Sequence, residues 1–101
     1  MIIHVMKYNA KPGKEKTVHK IIRHCMMILK EEAMQGTSLH SFRDADNKRH
    51  FIQINTFESR EAEERFENSE EIKNHLSRLG HFVDGSIDYH KMESFEFFQA
   101  R

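Results

Sequence analysis

The sequence contains no tryptophan, one proline and a single cysteine, Cys25. One cysteine excludes an intramolecular disulfide, so we predict a protein of a reducing compartment, the cytoplasm. Long apolar runs are also missing: the longest spans residues 25–29, whereas a membrane helix needs about 20 residues. The first residues lack a charged segment followed by an apolar one, so we expect no secretory signal.

The chain has no excess of charge, because 16 Lys and Arg residues balance 16 Asp and Glu residues. A nucleic-acid-binding protein would show a basic excess or stripe, and a polybasic membrane anchor would too, so we expect neither partner. The 101 residues suit one domain, which we place at 1–101. Eight phenylalanines and periodic apolar segments indicate a folded core.

The apolar periodicity predicts the order strand, helix, strand, strand, helix, strand. The strands are predicted at 2–9, 37–44, 50–57 and 86–98. The first helix is predicted over 14–35, with Gly36 as its left-handed C-terminal residue. The second begins at the cap Ser59 and is interrupted before a second cap, Ser69. This order is typical of a ferredoxin-like α+β subunit, an antiparallel four-stranded sheet with the helices on one face.

The predicted strands are apolar on both faces, although two helices can cover only one face of the sheet. A solvated second face should be polar, and a large exposed apolar patch usually marks an interface. We therefore expect a homodimer through the open sheet face. The alternation involves Phe51, Ile52, Ile54 and Phe57 in the third strand, and Met92, Phe95, Phe97 and Phe98 in the fourth.

Short motifs lie near the ends of the predicted elements. They are Lys11-Pro12-Gly13, Leu29-Lys30-Glu31-Glu32 followed by Gly36, and a segment from Thr56-Phe57-Glu58-Ser59 through Glu61-Ala62 and Phe66 to Asn68-Ser69. In these features the chain resembles the antibiotic biosynthesis monooxygenase family. The resemblance implies a dimeric α+β barrel of ferredoxin-like subunits. It also implies a small oxygenase that oxidises an aromatic or quinol-type substrate without a metal or prosthetic group, or a haem-degrading enzyme.

The family's pocket lies between the sheet and the helices of one subunit. The resemblance therefore implies a substrate pocket lined by His4, Met6 and Tyr8 on the first strand, with Phe66 and Leu79 opposite. Haem-degrading members pair an Asn on the first strand with a Trp and a His on the second helix. The first two positions hold Met6 and Phe66 here, and the third falls on Leu76, next to His75. We therefore predict no cofactor and keep haem as an alternative.

His75 is the candidate catalytic residue. It lies beside the apolar stripe of Ile72, Leu76 and Leu79, and an imidazole that faces a pocket can accept a proton from a phenolic substrate near neutral pH. The alternative is a histidine at the core edge that bonds to the backbone. The leading hypothesis is a cofactor-independent monooxygenase of a small aromatic molecule. The third hypothesis, after haem chemistry, is a non-catalytic ligand-binding barrel with an apolar pocket or none.

The other reactive side chains give weaker signals. The eight histidines include no His-x-x-x-His pair, so we predict no metal site. Cys25 lies on the first helix's apolar stripe and is predicted to be an unreactive buried thiol. Tyr8 and Tyr89 could bond an oxygenated ligand or place their hydroxyls at a rim. The charged residues 58–71 are predicted to form a solvated helix face.

Overall fold

The computed structural model describes residues 1–101 as four strands and three helices. The strands are β1 (Ile2–Ala10), β2 (Thr37–Arg43), β3 (His50–Phe57) and β4 (Val83–Glu93), and the helices are α1 (Glu15–Glu31), α2 (Arg60–Asn68) and α3 (Glu70–His81). The strands form one antiparallel sheet in the order β2-β3-β1-β4. The predicted ferredoxin-like α+β fold is confirmed. None of the helices has the length and apolar character needed to cross a membrane.

The core lies between the helices and one face of the sheet. Alternate residues of β1 point to it, so that His4, Met6 and Tyr8 are buried while Lys7 and Asn9 are exposed. The same alternation buries one side of β3, from Phe51 to Phe57. Burial of the apolar side chains among them, such as Met6 and Phe57, contributes about 1.5–3 kcal/mol each. This face of the sheet therefore holds the helices in place.

The helix α1 ends earlier than predicted, at Glu31 instead of near residue 35. The left-handed residue at its end is Ala33, with φ 48°, and not Gly36. The Met34 amide donates to the Leu29 carbonyl and the Ala33 amide donates to the Lys30 carbonyl, which is the Schellman pattern of a helix terminus. The prediction of Gly36 as the C-terminal residue of the helix is therefore wrong, and Gly36 belongs to the turn before β2.

Two serine caps divide the second helical segment, as predicted. The Ser59 hydroxyl accepts a hydrogen bond from the Ala62 amide at 3.1 Å, and the Ser69 hydroxyl accepts one from the Ile72 amide at 3.3 Å. Ser69 itself has extended backbone angles, so α2 cannot run on into α3. The change in direction lets each helix cover a different part of the sheet.

The strand β4 spans Val83–Glu93, and the predicted strand at 86–98 is wrong at both ends. Its pairing with β1 ends at the contact between Ile2 and Glu93. No residue of β1 remains to pair with the chain beyond this point, so the phenylalanines that follow lie outside regular structure. Phe95, Phe97 and Phe98 are 84–90% exposed.

The sheet face away from the helices keeps a central apolar region. Val5 of β1 pairs with Ile54 of β3, and one row further Lys7 pairs with Ile52. Phe42 at one edge and Met92 at the other are exposed on the same face. The helices lie on the opposite side of the sheet, and this surface is called the open face below.

Ala33 offers a test of the helix terminus. A left-handed backbone costs a residue with a Cβ roughly 1–2 kcal/mol, and glycine does not bear this cost. We expect Ala33→Gly to raise the free energy of unfolding by up to about 1 kcal/mol, after the greater unfolded-state entropy of glycine is subtracted. Urea denaturation measures the change. The control is Ala45→Gly, at a residue without a positive φ, where we expect a loss; a loss at Ala33 would contradict the assignment.

Candidate functional site

A cavity of about 290 Å³ opens between α2, α3 and the core-facing side of the sheet. The strands β1, β3 and β4 meet at its floor, so that residues from distant parts of the sequence share one wall. His4, Met6 and Phe66, which the family resemblance placed in the pocket, line it. The remaining lining residues are Asn55, Glu67, Ile72, Lys73, Leu76, Tyr89 and Lys91.

A chain of two short hydrogen bonds lies in the wall of the cavity. The Tyr89 hydroxyl is 2.7 Å from His4 Nδ1, and His4 Nε2 is 2.6 Å from Glu63 Oε2. His4 and Glu63 are buried, while Tyr89 is 45% exposed. Tyr89 is therefore the member of the chain that is most exposed, and Glu63 is the end inside the protein.

Glu63 is the part of this chain that the sequence did not reveal. The stretch 58–71 was predicted to be a solvated face, and for Glu63 this is wrong, because its residue is only 5% exposed. The hydrogen bond from His4 lowers the pKa of the Glu63 carboxyl, against the opposing effect of burial, and the charge of Lys91 lowers it further. Glu63 is therefore a carboxylate at neutral pH, paired with His4 and with Lys91 Nζ at 3.7 Å.

The protonation of the chain follows from its two ends. Burial, together with the nearby charges of Glu67 and Glu63, raises the pKa of Tyr89 to about 12, so its hydroxyl keeps its proton. The Glu63 carboxylate can only accept a hydrogen bond. His4 Nε2–H can donate to Glu63 while His4 Nδ1 accepts from the Tyr89 hydroxyl, which gives both neighbours a partner.

The rest of the cavity combines one amide with apolar walls. The Asn55 side-chain oxygen accepts a hydrogen bond from Gln53 Nε2 at 3.1 Å, which leaves the amide N–H groups of Asn55 available to a ligand. Met6, Phe66 and Ile72 supply apolar surface. Ligand sites are usually built in this way, with a few polar groups set in an apolar lining.

This arrangement can take a proton from a hydroxylated ligand. A ligand O–H can donate to the Tyr89 oxygen while Tyr89 donates to His4 Nδ1, so that a proton moves along the chain and leaves an imidazolium on His4. The adjacent carboxylate of Glu63 stabilises that cation, as an acidic partner does for a catalytic histidine. The Asn55 amide lies in the same wall and can donate to an oxygen on which negative charge develops.

Tyr8 and Leu79 lie outside this cavity. The Tyr8 ring stacks on Phe51 at a centroid distance of 5.7 Å, and its buried hydroxyl has no hydrogen-bond partner. Burial raises the pKa of Tyr8 well above its usual range. Leu79 is fully buried in the same core cluster. Both residues support the packing beneath α1 instead of contacting the cavity space.

His75 is buried in α3 and lines none of the cavities. It belongs to the buried stripe with Ile72 and Leu79, whereas Leu76, predicted to belong to that stripe, is 36% exposed and faces the cavity. Both ring nitrogens of His75 lack hydrogen-bond partners. Burial, with the charges of His24 and Arg78, lowers its pKa to about 4. Its role as proton acceptor stays a prediction, and the hydrogen-bonded geometry of the cavity favours His4.

Three possible metal ligands lie together beside the cavity, which the histidine spacing did not indicate. Ligand atoms of His4, Glu63 and Glu67 are within 4.8 Å of one another. The Lys91 ammonium group lies between the carboxylates, 3.7 Å from Glu63 and 3.4 Å from Glu67. A positive charge of the protein itself thus balances this group, and Nε2 of His4 is already bonded to Glu63.

The histidines near the cavity offer haem no free ring nitrogen. A haem iron needs an axial ligand directed into the pocket, and both ring nitrogens of His4 are engaged by Tyr89 and Glu63. The other buried histidine of this region, His75, does not line the cavity. Cys25 is buried, and burial raises the pKa of its thiol to about 12, which keeps it from acting as a thiolate ligand.

The model of the family described as antibiotic biosynthesis monooxygenase matches residues 1–78. Among solved structures, an antibiotic biosynthesis monooxygenase superposes with a TM-score of 0.78 at 15% identity, covering 95% of this chain and 100% of that one. SnoaB, a cofactor-independent oxygenase from Streptomyces nogalater, superposes with a TM-score of 0.84 at 10% identity, covering 98% of this chain and 97% of that one. Rv0793 from Mycobacterium tuberculosis superposes with a TM-score of 0.79 at 14% identity, covering 97% of this chain and 98% of that one. At these identities the structures share the fold. No curated protein matches the sequence significantly.

The buried His75 predicts a loss of stability in acid. Its pKa is about 4 in the folded protein and near 6.5 in an unfolded chain, so the unfolded state binds more protons between these values. We expect the free energy of unfolding to fall by on the order of 3 kcal/mol as the pH drops from 6.5 to 4. Denaturation curves of His75→Leu should show a smaller fall over this range. The exposed His81→Leu is the control; equal pH dependence in both variants would contradict the prediction.

Proposed function

The chain belongs to the antibiotic biosynthesis monooxygenase family, and from this we propose that it is a cofactor-independent monooxygenase of a small aromatic or quinol-type molecule. The observation that carries the proposal is the hydrogen-bonded chain from Tyr89 through His4 to Glu63, with its hydroxyl end open to a cavity. Such a chain provides the proton acceptor that this chemistry requires. The similarity in fold to the cofactor-independent oxygenase SnoaB supports the same class of reaction.

In the proposed reaction the substrate itself supplies the electrons. Removal of a proton from a phenolic hydroxyl gives an electron-rich anion that reacts directly with O₂. Where the substrate carbon that reacts with O₂ is a CH₂ group, that group becomes C=O. One oxygen atom then enters the substrate, and the other leaves as water with the two displaced hydrogens. All four electrons that reduce O₂ come from the substrate, so the balance requires no other reductant.

Each residue of the cavity has a part in this scheme. Tyr89 accepts the substrate proton while passing its own to His4, and Glu63 stabilises the imidazolium. The amide of Asn55 donates to the anionic oxygen, and Met6 and Phe66 exclude water, which strengthens these electrostatic interactions. The cavity volume of about 290 Å³ is at the lower end of the volumes that ligand sites have, and it favours a small substrate. A wholly apolar pocket, which the non-catalytic alternative predicts, would lack these groups.

We also propose that the protein is a homodimer through its open face. The helices cover only the opposite side of the sheet, while Val5, Ile52 and Ile54 of the central strands remain half-buried in the single chain. A second copy related by a two-fold axis would bury the same residues on both chains. The candidate cavity lies on the other side of the sheet and would stay accessible.

Substitutions along the hydrogen-bonded chain test the proposed reaction. We expect Tyr89→Phe and His4→Gln each to lower kcat by on the order of 10²–10⁴, the usual contribution of general acid–base catalysis. Because the two residues act in series, the double variant should lose little more than the worse single variant. Oxygen consumption with a panel of quinols and hydroxylated polycyclic aromatics measures the effect.

Two control variants make this result specific. Tyr8→Phe removes a buried hydroxyl outside the cavity and should leave kcat unchanged, and His75→Leu should do the same if His4 accepts the proton. Loss of turnover in His75→Leu with full turnover in Tyr89→Phe would instead assign the proton to His75. Loss of the substrate, followed by its absorbance, that is equally fast with and without O₂ would rule out the oxygenase reaction.

The dimer has a separate test. Ile54→Lys places a charge at the centre of the open face, and a symmetric interface would bury two such charges. With a penalty of about 1–3 kcal/mol for each unpaired buried polar group, the two charges together should increase dimer dissociation by roughly 30-fold or more. Analytical ultracentrifugation measures it, with Met27→Lys on the exposed side of α1 as the matched control. A monomeric wild-type protein, or equal dimerisation of both variants, would contradict the proposal.

A further inference from the structure

Two arginines of the chain have no hydrogen-bond or ion-pair partner although they lie inside folded elements. Arg23 belongs to α1 and Arg43 ends β2. The other arginines within the fold all have partners: Arg49 with Asp84, Arg60 with Glu64, Arg65 with the Gln35 carbonyl and Arg78 with His24. Both residues are exposed, and both line one and the same cavity.

This cavity, the α1–β2 groove, has a volume of about 300 Å³ and lies between α1 and the edge strand β2. It is lined by His19, Ile22, Arg23, Ser41, Phe42, Arg43 and Phe51. No carboxylate is among these residues. Oδ1 of Asp44, the next residue after Arg43, accepts hydrogen bonds from the Asp46 and Asn47 amides within the hairpin turn, and Asp44 does not line the groove.

We propose that the α1–β2 groove binds a small molecule with an anionic head group, a carboxylate or a phosphate, attached to a flat apolar body. Guanidinium groups bind such oxyanions through paired N–H donors, and Arg23 and Arg43 offer two of them from opposite walls. The Ser41 hydroxyl can add a further donor. The apolar body would pack on the small parts of Ile22 and Phe51 that reach the groove, and the core holds both side chains in place.

The α1–β2 groove is separate from the candidate active site. The strand β2 forms one edge of the sheet and β4 the other, and the groove shares no residue with the cavity that contains His4 and Tyr89. Its lining contains no hydrogen-bonded chain that could accept a proton. The proposal is therefore a binding site and does not depend on the proposed oxygenase reaction.

Nuclear magnetic resonance titration of the ¹⁵N-labelled protein tests the groove. The probes are phenyl phosphate, benzoate and inorganic phosphate, which separate the contributions of the head group and the apolar body. We expect saturable shifts in the amides of Ser41, Arg43 and Phe51, and tighter binding of the two aromatic probes than of inorganic phosphate. Whichever aromatic probe binds more tightly identifies the head group.

A pair of double variants separates specific binding from general charge attraction. Arg23→Gln/Arg43→Gln should weaken binding of the better probe by about tenfold or more, since hydrogen bonds to charged groups are the stronger ones. Lys11→Gln/Arg101→Gln removes the same charge from residues that line none of the cavities and should bind as the wild type does. Equal weakening in both double variants, shifts centred on His4 and Tyr89, or no saturable binding of any probe would each overturn the proposal.

Discussion

The hydrogen bond between His4 and Glu63 joins the first strand to a helix 59 residues later, and the candidate site is arranged around it. A buried carboxylate without a partner would be costly, so the contacts of Glu63 with His4 and Lys91 favour the observed position of α2. That position also brings Phe66 onto Phe57, with a ring distance of 5.2 Å. The same bond fixes the orientation of His4, which presents its second nitrogen to Tyr89. One interaction thus positions a helix, a cavity wall and a proton acceptor.

Most of the fold could be predicted from local patterns. The alternation in β1 and β3 and the two serine caps are visible in short windows of sequence, and the structure has them where they were expected. The end of β4 could not be predicted in this way, because Phe95 and Phe97 continue a strand-like pattern. What stops the strand is the absence of further β1 residues to pair with, which is a property of the sheet. The left-handed Ala33 could not be predicted from its residue type, because glycine is the usual residue at that position. The backbone hydrogen bonds of the helix terminus hold the alanine in this conformation.

The site was less accessible to sequence reasoning than the fold. His4 could be placed on the correct face of the first strand, but its partners come from α2 and β4. Glu63 stands among other charged residues, and nothing in its neighbourhood distinguishes it except that it adjoins Ala62 and precedes Phe66 on the inner side of the helix. Tyr89 and Lys91 lie beyond residue 78, where the match to the family model ends. A histidine on a strongly apolar stripe, His75, therefore attracted more attention than the one that the sheet surrounds with partners.

The position of β4 in the sheet has a consequence for how the protein acquires its site. This strand pairs with β1, so the contact between Tyr89 and His4 spans 85 residues of sequence. Contacts of such long range close late, because the chain between them must first be ordered. The Tyr89 hydroxyl reaches His4 only where β4 is paired with β1. Fraying of β4 from the sheet would therefore leave His4 with Glu63 alone and open one wall of the cavity.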